Sequence, residues 1–172
     1  MFSHDPDHSA CLSVVIPAFN EEATLRTIVQ KVLAIPQLLE IVIVDDCSTD
    51  STALIASRLA EVHPQVRLIR QPKNSGKTDA LKAGFAATCG EIVIVQDADL
   101  EYDPVEIPDV IRPILDGHAD VVYGSRFLVR KAARVLYFYH YLANKSLTFM
   151  SNVLTNLNMS DVETGYKAFR GE

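Results

Sequence analysis

Short apolar runs of strand length alternate with amphipathic stretches along most of the chain. Residues 12–16 (LSVVI), 40–44 (EIVIV), 66–69 (VRLI), 92–95 (IVIV) and 119–123 (ADVVY) read as strands, β-branched and bounded by turn residues. Pro17 stops the first of them. Between them, residues 21–33, 52–62, 78–87 and 105–115 read as helices. In the first, Leu25, Ile28, Val29, Val32 and Leu33 share one face and Asn20 is the expected cap. Ser48 or Thr49 is expected to cap the second, with Asp50 in its first turn, and Gly90 to close the third. Regular alternation of this kind predicts an α/β fold, an open, mostly parallel sheet with helices on both faces. Ligands of such sheets bind outside the carboxyl ends of the strands.

After Gly124 the character changes. A long helix is expected over 135–157, with Val135, Phe138, Leu142, Phe149, Val153 and Leu157 apolar and Tyr137, Tyr139, His140 and Tyr141 in its first half. Two readings fit it: a helix packed on the sheet, or an amphipathic face lying at a lipid headgroup boundary. Residues 161–170 (DVETGYKAFR) read as a loop returning into a short edge strand, with Gly165 at the turn.

At 172 residues the expectation is one domain, 12–172, preceded by an extension over 1–11. The chain ends directly after a strand-like segment, so it is expected to be C-terminally truncated. The net charge of -6 argues against nucleic acid as a partner. It is uneven, however: residues 1–125 carry 9 Lys and Arg against 19 Asp and Glu, a balance of -10, whereas 126–172 carry 7 against 3, a balance of +4. The basic tail suits an anionic partner. Cys11, Cys47 and Cys89 have no disulfide or zinc spacing, which fits a reducing compartment. Residues 1–10 have the pattern of no signal peptide, and no run is long and apolar enough to cross a bilayer.

The polar clusters fall where the strands end. Asn20-Glu21-Glu22 follow the first, Asp45-Asp46 the second, 73–77 (KNSGK) the third, 97–101 (DADLE) the fourth and Ser125-Arg126 the fifth. In a parallel sheet these converge on one rim. Asp97, Asp99 and Glu101 stand two apart, and in extended backbone that spacing sends three carboxylates to one face. Like charges so placed must protonate or find a cation, and Mg2+ or Mn2+, completing its shell with substrate phosphates, is the economical answer. Blander readings exist. Asp103-Pro104 fits a helix cap, Asp45-Asp46 a turn and cap, and 73–77 a turn entering a helix, since it lacks phosphate-loop spacing. The five histidines show no zinc spacing.

Six ordered motifs, 17–22 (PAFNEE), 44–50 (VDDCSTD), 73–77, 96–104 (QDADLEYDP), 124–127 (GSRF) and 163–170 (ETGYKAFR), resemble the family 2 glycosyltransferases of GT-A fold. The likeness is to the branch that transfers a sugar from a nucleotide to a polyprenyl phosphate, the dolichyl-phosphate mannose synthase and undecaprenyl-phosphate glycosyltransferase type. It implies that Pro17, Ala18 and Glu21 line a nucleoside pocket, that Asp45 accepts from the base imide N–H, and that Asp46 supports that loop. It makes Asp97 and Asp99 the D-x-D pair, with Ala98 between them and Glu101 as third metal ligand where mannose synthases more often have Gln. Lys77 is counted among the substrate-binding residues, Arg126 and Arg134 fall around the phosphates, and Glu163, Thr164 and Lys167 near the acceptor. The implied setting is cytoplasmic, peripheral at the inner face of the cell membrane.

The chemistry is consistent with that likeness. Cleaving an anomeric carbon from a diphosphate builds charge on the leaving oxygen, which a divalent ion and arginines stabilise. A phosphate acceptor, largely dianionic at neutral pH, needs no strong general base. In-line attack inverts the anomeric configuration. Arg130, Lys131 and Arg134 are placed to hold the acceptor phosphate. Two other classes share parts of the pattern. A sugar-1-phosphate nucleotidyltransferase ordinarily carries a Gly-rich basic loop after its first strand, where this chain has PAFNEEAT. A non-catalytic nucleotide-sugar-binding module is the other.

Overall fold

The computed structural model describes residues 10–124, 138–156, 161 and 164–171. Four apolar runs lie side by side as parallel strands: β1 (Leu12–Ala18), β2 (Leu38–Asp45), β3 (Val66–Arg70) and β4 (Ile92–Val95). Two shorter strands, β5 (Val121–Tyr123) and β6 (Lys167–Arg170), complete a six-stranded sheet of order β3-β2-β1-β4-β6-β5. β6 runs antiparallel to both β4 and β5, so β5 points the same way as β1 to β4. Here the expected placement is corrected. The returning segment is an interior strand, and β5 is the edge. β5 has only three residues with Val121 half exposed, whereas Ala168 of β6 is fully buried. An edge suits the former and an interior position the latter.

The side-chain alternation of β1 and β2 divides the core in two. Leu12, Val14 and Ile16 with Ile41 and Ile43 face α1 (Leu25–Leu33), α2 (Thr52–Val62) and α4 (Ile107–Leu115), and Val15, Val42 and Val44 face α3 (Lys77–Phe85). α1 is held by Leu25, Ile28, Val29 and Val32, all fully buried, each worth at most about 1.5–3 kcal/mol. α3 lies close on the sheet because Gly84 has no side chain; a Cβ there would fall 2.4 Å from Val15 Cγ1.

Several helix ends differ from expectation. α1 starts at Leu25 with Thr24 at its cap position, because residues 21–24 form a turn and Asn20 takes a left-handed φ of 58°. α2 has Ser51 at its cap position, and the Asp50 carboxylate, not Ser48 or Thr49, accepts from the Thr52 amide at 2.9 Å. Burial pushes the Asp50 carboxyl up, but hydrogen bonds from the Thr52 hydroxyl and amide and from the Glu22 amide outweigh it and hold it below its ordinary range. α3 ends at Phe85 with Ala86 at its cap, short of Gly90. Asp103 caps as expected, accepting from the Val105 amide, but a 3-10 turn over Pro104–Glu106 precedes α4.

A buried polar knot lies toward the amino end of the sheet. Ser13 and Glu40 are register partners on β1 and β2, and Glu40 Oε1 accepts from Ser13 Oγ (2.8 Å), Cys89 N (2.7 Å) and Cys89 Sγ (3.1 Å). Arg67 donates to Oε2 at 2.9 Å. Burial would raise the Glu40 carboxyl, yet these hydrogen bonds and the Arg67 charge together hold it below the usual range.

α5 (Phe138–Thr155) turns two of its polar residues inward. Asn144 and Thr148 are each 4% exposed; Asn144 donates to Asp161 at 2.9 Å and Thr148 donates to Asn144 at 3.1 Å. Leu142, Phe149 and Val153, the stripe expected to pack, are all exposed, as are Tyr139 and Leu154. Burial here follows the Asn144–Asp161 hydrogen bond, so the packed-helix reading is not met by these residues. No described helix is long and apolar enough to cross a membrane.

Candidate active site

The strand order reverses at β1, whose neighbours β2 and β4 are reached by crossings on opposite faces, and the carboxyl ends of these strands open a crevice there. Its floor and walls are Pro17, Ala18, Phe19 and Glu21 after β1, Asp46 after β2, Lys77 and Ala80 on α3, and Asp97, Ala98 and Asp99 after β4. The cavity measures about 190 Å3. Eight residues predicted for the site from the sequence are therefore brought together: Pro17, Ala18, Glu21, Asp46, Lys77, Asp97, Ala98 and Asp99.

The loops that carry them are tied to one another. Between the β1–α1 and β2–α2 loops, Asn20 N donates to Ser48 Oγ (3.0 Å), Glu21 N to Thr52 Oγ1 (2.7 Å) and Glu22 N to Asp50 Oδ2 (3.2 Å). In return, Thr49 N donates to Asn20 Oδ1 and Ser51 N to Glu22 Oε2, both at 2.9 Å. This reciprocal pairing satisfies loop amides that neither helix uses, and it holds Glu21 at the cleft. The Asp46 carboxylate grips the turn into α3, accepting from Ser75 N (2.9 Å) and Gly76 N (2.8 Å). Gly76, at φ 87°, takes a conformation that favours glycine, and α3 then opens with Lys77. Lys77 Nζ forms an ion pair with Asp97 Oδ1.

Other predicted residues lie elsewhere. Asp45 is fully buried and does not line the cleft; it accepts from Ser48 N at 3.2 Å and from Arg70 Nε at 3.4 Å. Thr164 is buried, its hydroxyl without a hydrogen-bond partner among the described residues. Lys167, the first residue of β6, stands over the Tyr123 ring at 5.3 Å. Arg126, Arg134 and Glu163, like Arg130 and Lys131, lie outside the described residues. Sequence reasoning missed Phe19 and Ala80. Phe19 sits inside the PAFNEE run, and Ala80 is three residues beyond Lys77, on the same helix face.

The extended backbone expected across Asp97, Asp99 and Glu101 is corrected to a turn. β4 stops at Val95, and residues 97–101 turn instead of extending, with Leu100 at φ 61°, so period-two spacing no longer aligns side chains. Asp99 Oδ1 accepts from Glu101 N at 3.0 Å, and Glu101 does not line the cleft. Among the described residues no three acidic, His or Cys side chains gather as a metal cage. Asp97 and Asp99 still fit Mg2+ or Mn2+, ions commonly held by one or two carboxylates together with substrate phosphates.

Comparison with known proteins decides the family. The sequence pattern described as "Glycosyl transferase family 2" matches residues 13–172. The chain belongs to glycosyl transferase family 2. This family 2 chain is 33% identical over 165 residues to a dolichol-phosphate mannosyltransferase of Pyrococcus furiosus, covering 94% of this chain and 46% of that protein. It is also 33% identical over 164 residues to an undecaprenyl-phosphate 4-deoxy-4-formamido-L-arabinose transferase of Pectobacterium carotovorum, covering 92% and 48%. The chain thus spans about half the length of these curated relatives. Among solved structures, glucosyl-3-phosphoglycerate synthase from Mycobacterium tuberculosis, in complex with Mn2+, UDP and phosphoglyceric acid, superposes with a TM-score of 0.68 at 26% identity, covering 94% of this chain and 56% of that one. The fold is GT-A, as the sequence predicts.

Proposed function

We propose that residues 12–172 form the catalytic domain of an inverting, divalent-metal-dependent glycosyltransferase. It moves a sugar from a UDP- or GDP-sugar to a polyprenyl phosphate at the inner face of the cell membrane. The observation that carries this reading is the acidic cleft at the carboxyl rim of β1, β2 and β4, with Asp97 and Asp99 beside Lys77. The names of two 33% identical relatives, each a sugar transferase of a lipid phosphate, supply the acceptor class.

In the reaction, an acceptor phosphate oxygen attacks the anomeric carbon, the bond to the diphosphate breaks, and the nucleoside diphosphate leaves with the electron pair. Pro17, Ala18 and Phe19 offer the donor's nucleoside an apolar wall, and Glu21 and Asp46 offer acceptors beside it. Asp97 and Asp99 would hold Mg2+ or Mn2+, which supplies positive charge against the growing negative charge of the leaving diphosphate. Lys77 contributes a fixed cation in the same cleft. Arg126 and Arg134 are assigned to the phosphates, and Glu163, Thr164 and Lys167 to the acceptor end.

Calorimetric titration of UDP-glucose and GDP-mannose, each with and without Mn2+, tests this. One donor is expected to bind in a Mn2+-dependent manner. Asp99→Asn removes one charge at constant volume and is expected to weaken that binding by at least about tenfold in a folded protein. Equal affinity with and without the metal, or an unaffected Asp99→Asn protein, refutes the metal assignment; failure of both donors to bind refutes the donor class.

A further inference from the structure

The turn that carries Asp97 and Asp99 is closed by a side chain that does not itself line the cleft. Gln96 follows β4, and its side chain is fully buried. Its Nε2 donates to Asp97 O at 2.9 Å and to Tyr102 O at 3.2 Å, the carbonyls at the two ends of the turn. Both amide protons are thereby used, and one side chain spans residues 97–102. The amide oxygen accepts from Tyr166 Oη at 3.0 Å. The two carbonyls, acceptors only, fix which way the amide faces by requiring the nitrogen on their side, and the Tyr166 hydroxyl satisfies and anchors the oxygen that this leaves on the other.

Independent contacts tie the same turn to the returning segment. Tyr102 Oη accepts from Gly165 N at 2.9 Å, and the Tyr102 and Tyr166 rings meet edge to face with centroids 4.9 Å apart. A Cβ on Gly165 would fall 2.5 Å from the Tyr102 ring, so only glycine permits this approach. Gly124 N donates to Tyr166 O at 2.9 Å, adding the exit from β5 to the junction. Leu100 sits in the left-handed region, which a branched side chain occupies only when its surroundings over-determine it. Gln96 and Tyr102 supply that constraint from both ends of the turn.

We propose that Gln96, anchored by Tyr166, is the positioning residue that sets Asp97 and Asp99 toward the donor phosphates, and that it couples this turn to residues 164–167. The phosphate part rests on the function proposed above; the coupling does not. A buried amide oxygen held by a tyrosine from the segment assigned to the acceptor gives the two halves of the site one shared hinge.

Two variants separate the possibilities. Tyr166→Phe removes one hydroxyl and keeps the ring against Tyr102, and Gln96→Met removes all three hydrogen bonds at similar length. In ligand-free protein, hydrogen exchange of the amides of residues 97–102 is expected to accelerate about tenfold in Tyr166→Phe and further in Gln96→Met, with β1 and β2 unchanged. Asp99→Asn, which retains an acceptor for Glu101 N, is expected to leave that exchange unaltered. Titration of UDP and of GDP, each with Mn2+, is expected to show about tenfold weaker binding of whichever nucleotide the wild type takes in both positioning variants. Unchanged exchange in folded variants overturns the coupling. Faster exchange with unchanged affinity for that nucleotide and Mn2+ overturns the link to the phosphates. A wild-type protein that binds neither UDP nor GDP with Mn2+ refutes the nucleotide reading instead, and the exchange measurement then decides the coupling by itself.

Discussion

Replacing Asp46 tests what the second acidic residue after β2 is for. Its side chain is 4% exposed, and it receives two backbone amides, Ser75 N at 2.9 Å and Gly76 N at 2.8 Å, while its own amide donates to Ala18 O at 2.9 Å. One carboxylate thus joins the end of β2 to the start of α3 beside the end of β1. Hydrogen bonds to a charged group contribute about 1.5–3 kcal/mol each. Both amides here are partly reached by water, so the lower end applies, and Asp46→Ala is expected to lose about 3 kcal/mol. Asp46→Asn keeps one acceptor but turns an N–H toward an N–H, and is expected to lose about 2 kcal/mol. For urea unfolding with a slope of about 2 kcal/mol per molar, the midpoint falls by about 1.5 M and 1 M respectively. If a folded Asp46→Ala protein shifts by less than about 0.3 M, whatever happens to nucleotide binding, Asp46 is no clamp, and the reasoning fails.

Two further outcomes follow from the core. Glu40 has its folded carboxyl held below the unfolded value, so the stability it contributes is complete above the unfolded value of about 4.3 and is lost as pH falls through the lower folded one. The urea midpoint of wild type relative to Glu40→Gln is therefore expected to shrink steadily below about pH 4; a difference independent of pH would count against the buried knot. Gly84→Ala gains at most about 1 kcal/mol of helix propensity but drives a methyl to 2.4 Å from Val15 Cγ1 and 3.2 Å from Val44 Cγ2. Overpacking against stiff β-branched side chains costs about 1–3 kcal/mol, so a net loss near 1–2 kcal/mol is expected, and a stabilised variant would show that α3 can lift off freely.

The sequence by itself determined the elements and the rim. β-Branched runs such as 92–95 have no competing period, and in a parallel sheet every strand's following loop reaches the same side, so Glu21, Asp46, Lys77 and Asp97 meet without any knowledge of contacts. The six motifs, read in their order along the chain, already carried the likeness to the family that matches residues 13–172.

Tertiary structure alone decided what each side chain does there. Asp45 and Asp46 are adjacent letters, yet one is buried against Ser48 and Arg70 while the other faces the cleft and grips α3, because neighbouring residues at a strand end point to opposite sides. Glu101 does not line the cleft where the chain turns at Leu100, a backbone choice no alternation reveals. β6 enters between β4 and β5, and α5 buries Asn144 and Thr148 in place of its leucines, because Asp161 offers a partner only after the chain has returned. Gln96 shows the limit most plainly. Its three hydrogen bonds join residues one, six and seventy positions away, and such a side chain has meaning only once the sheet has brought them together.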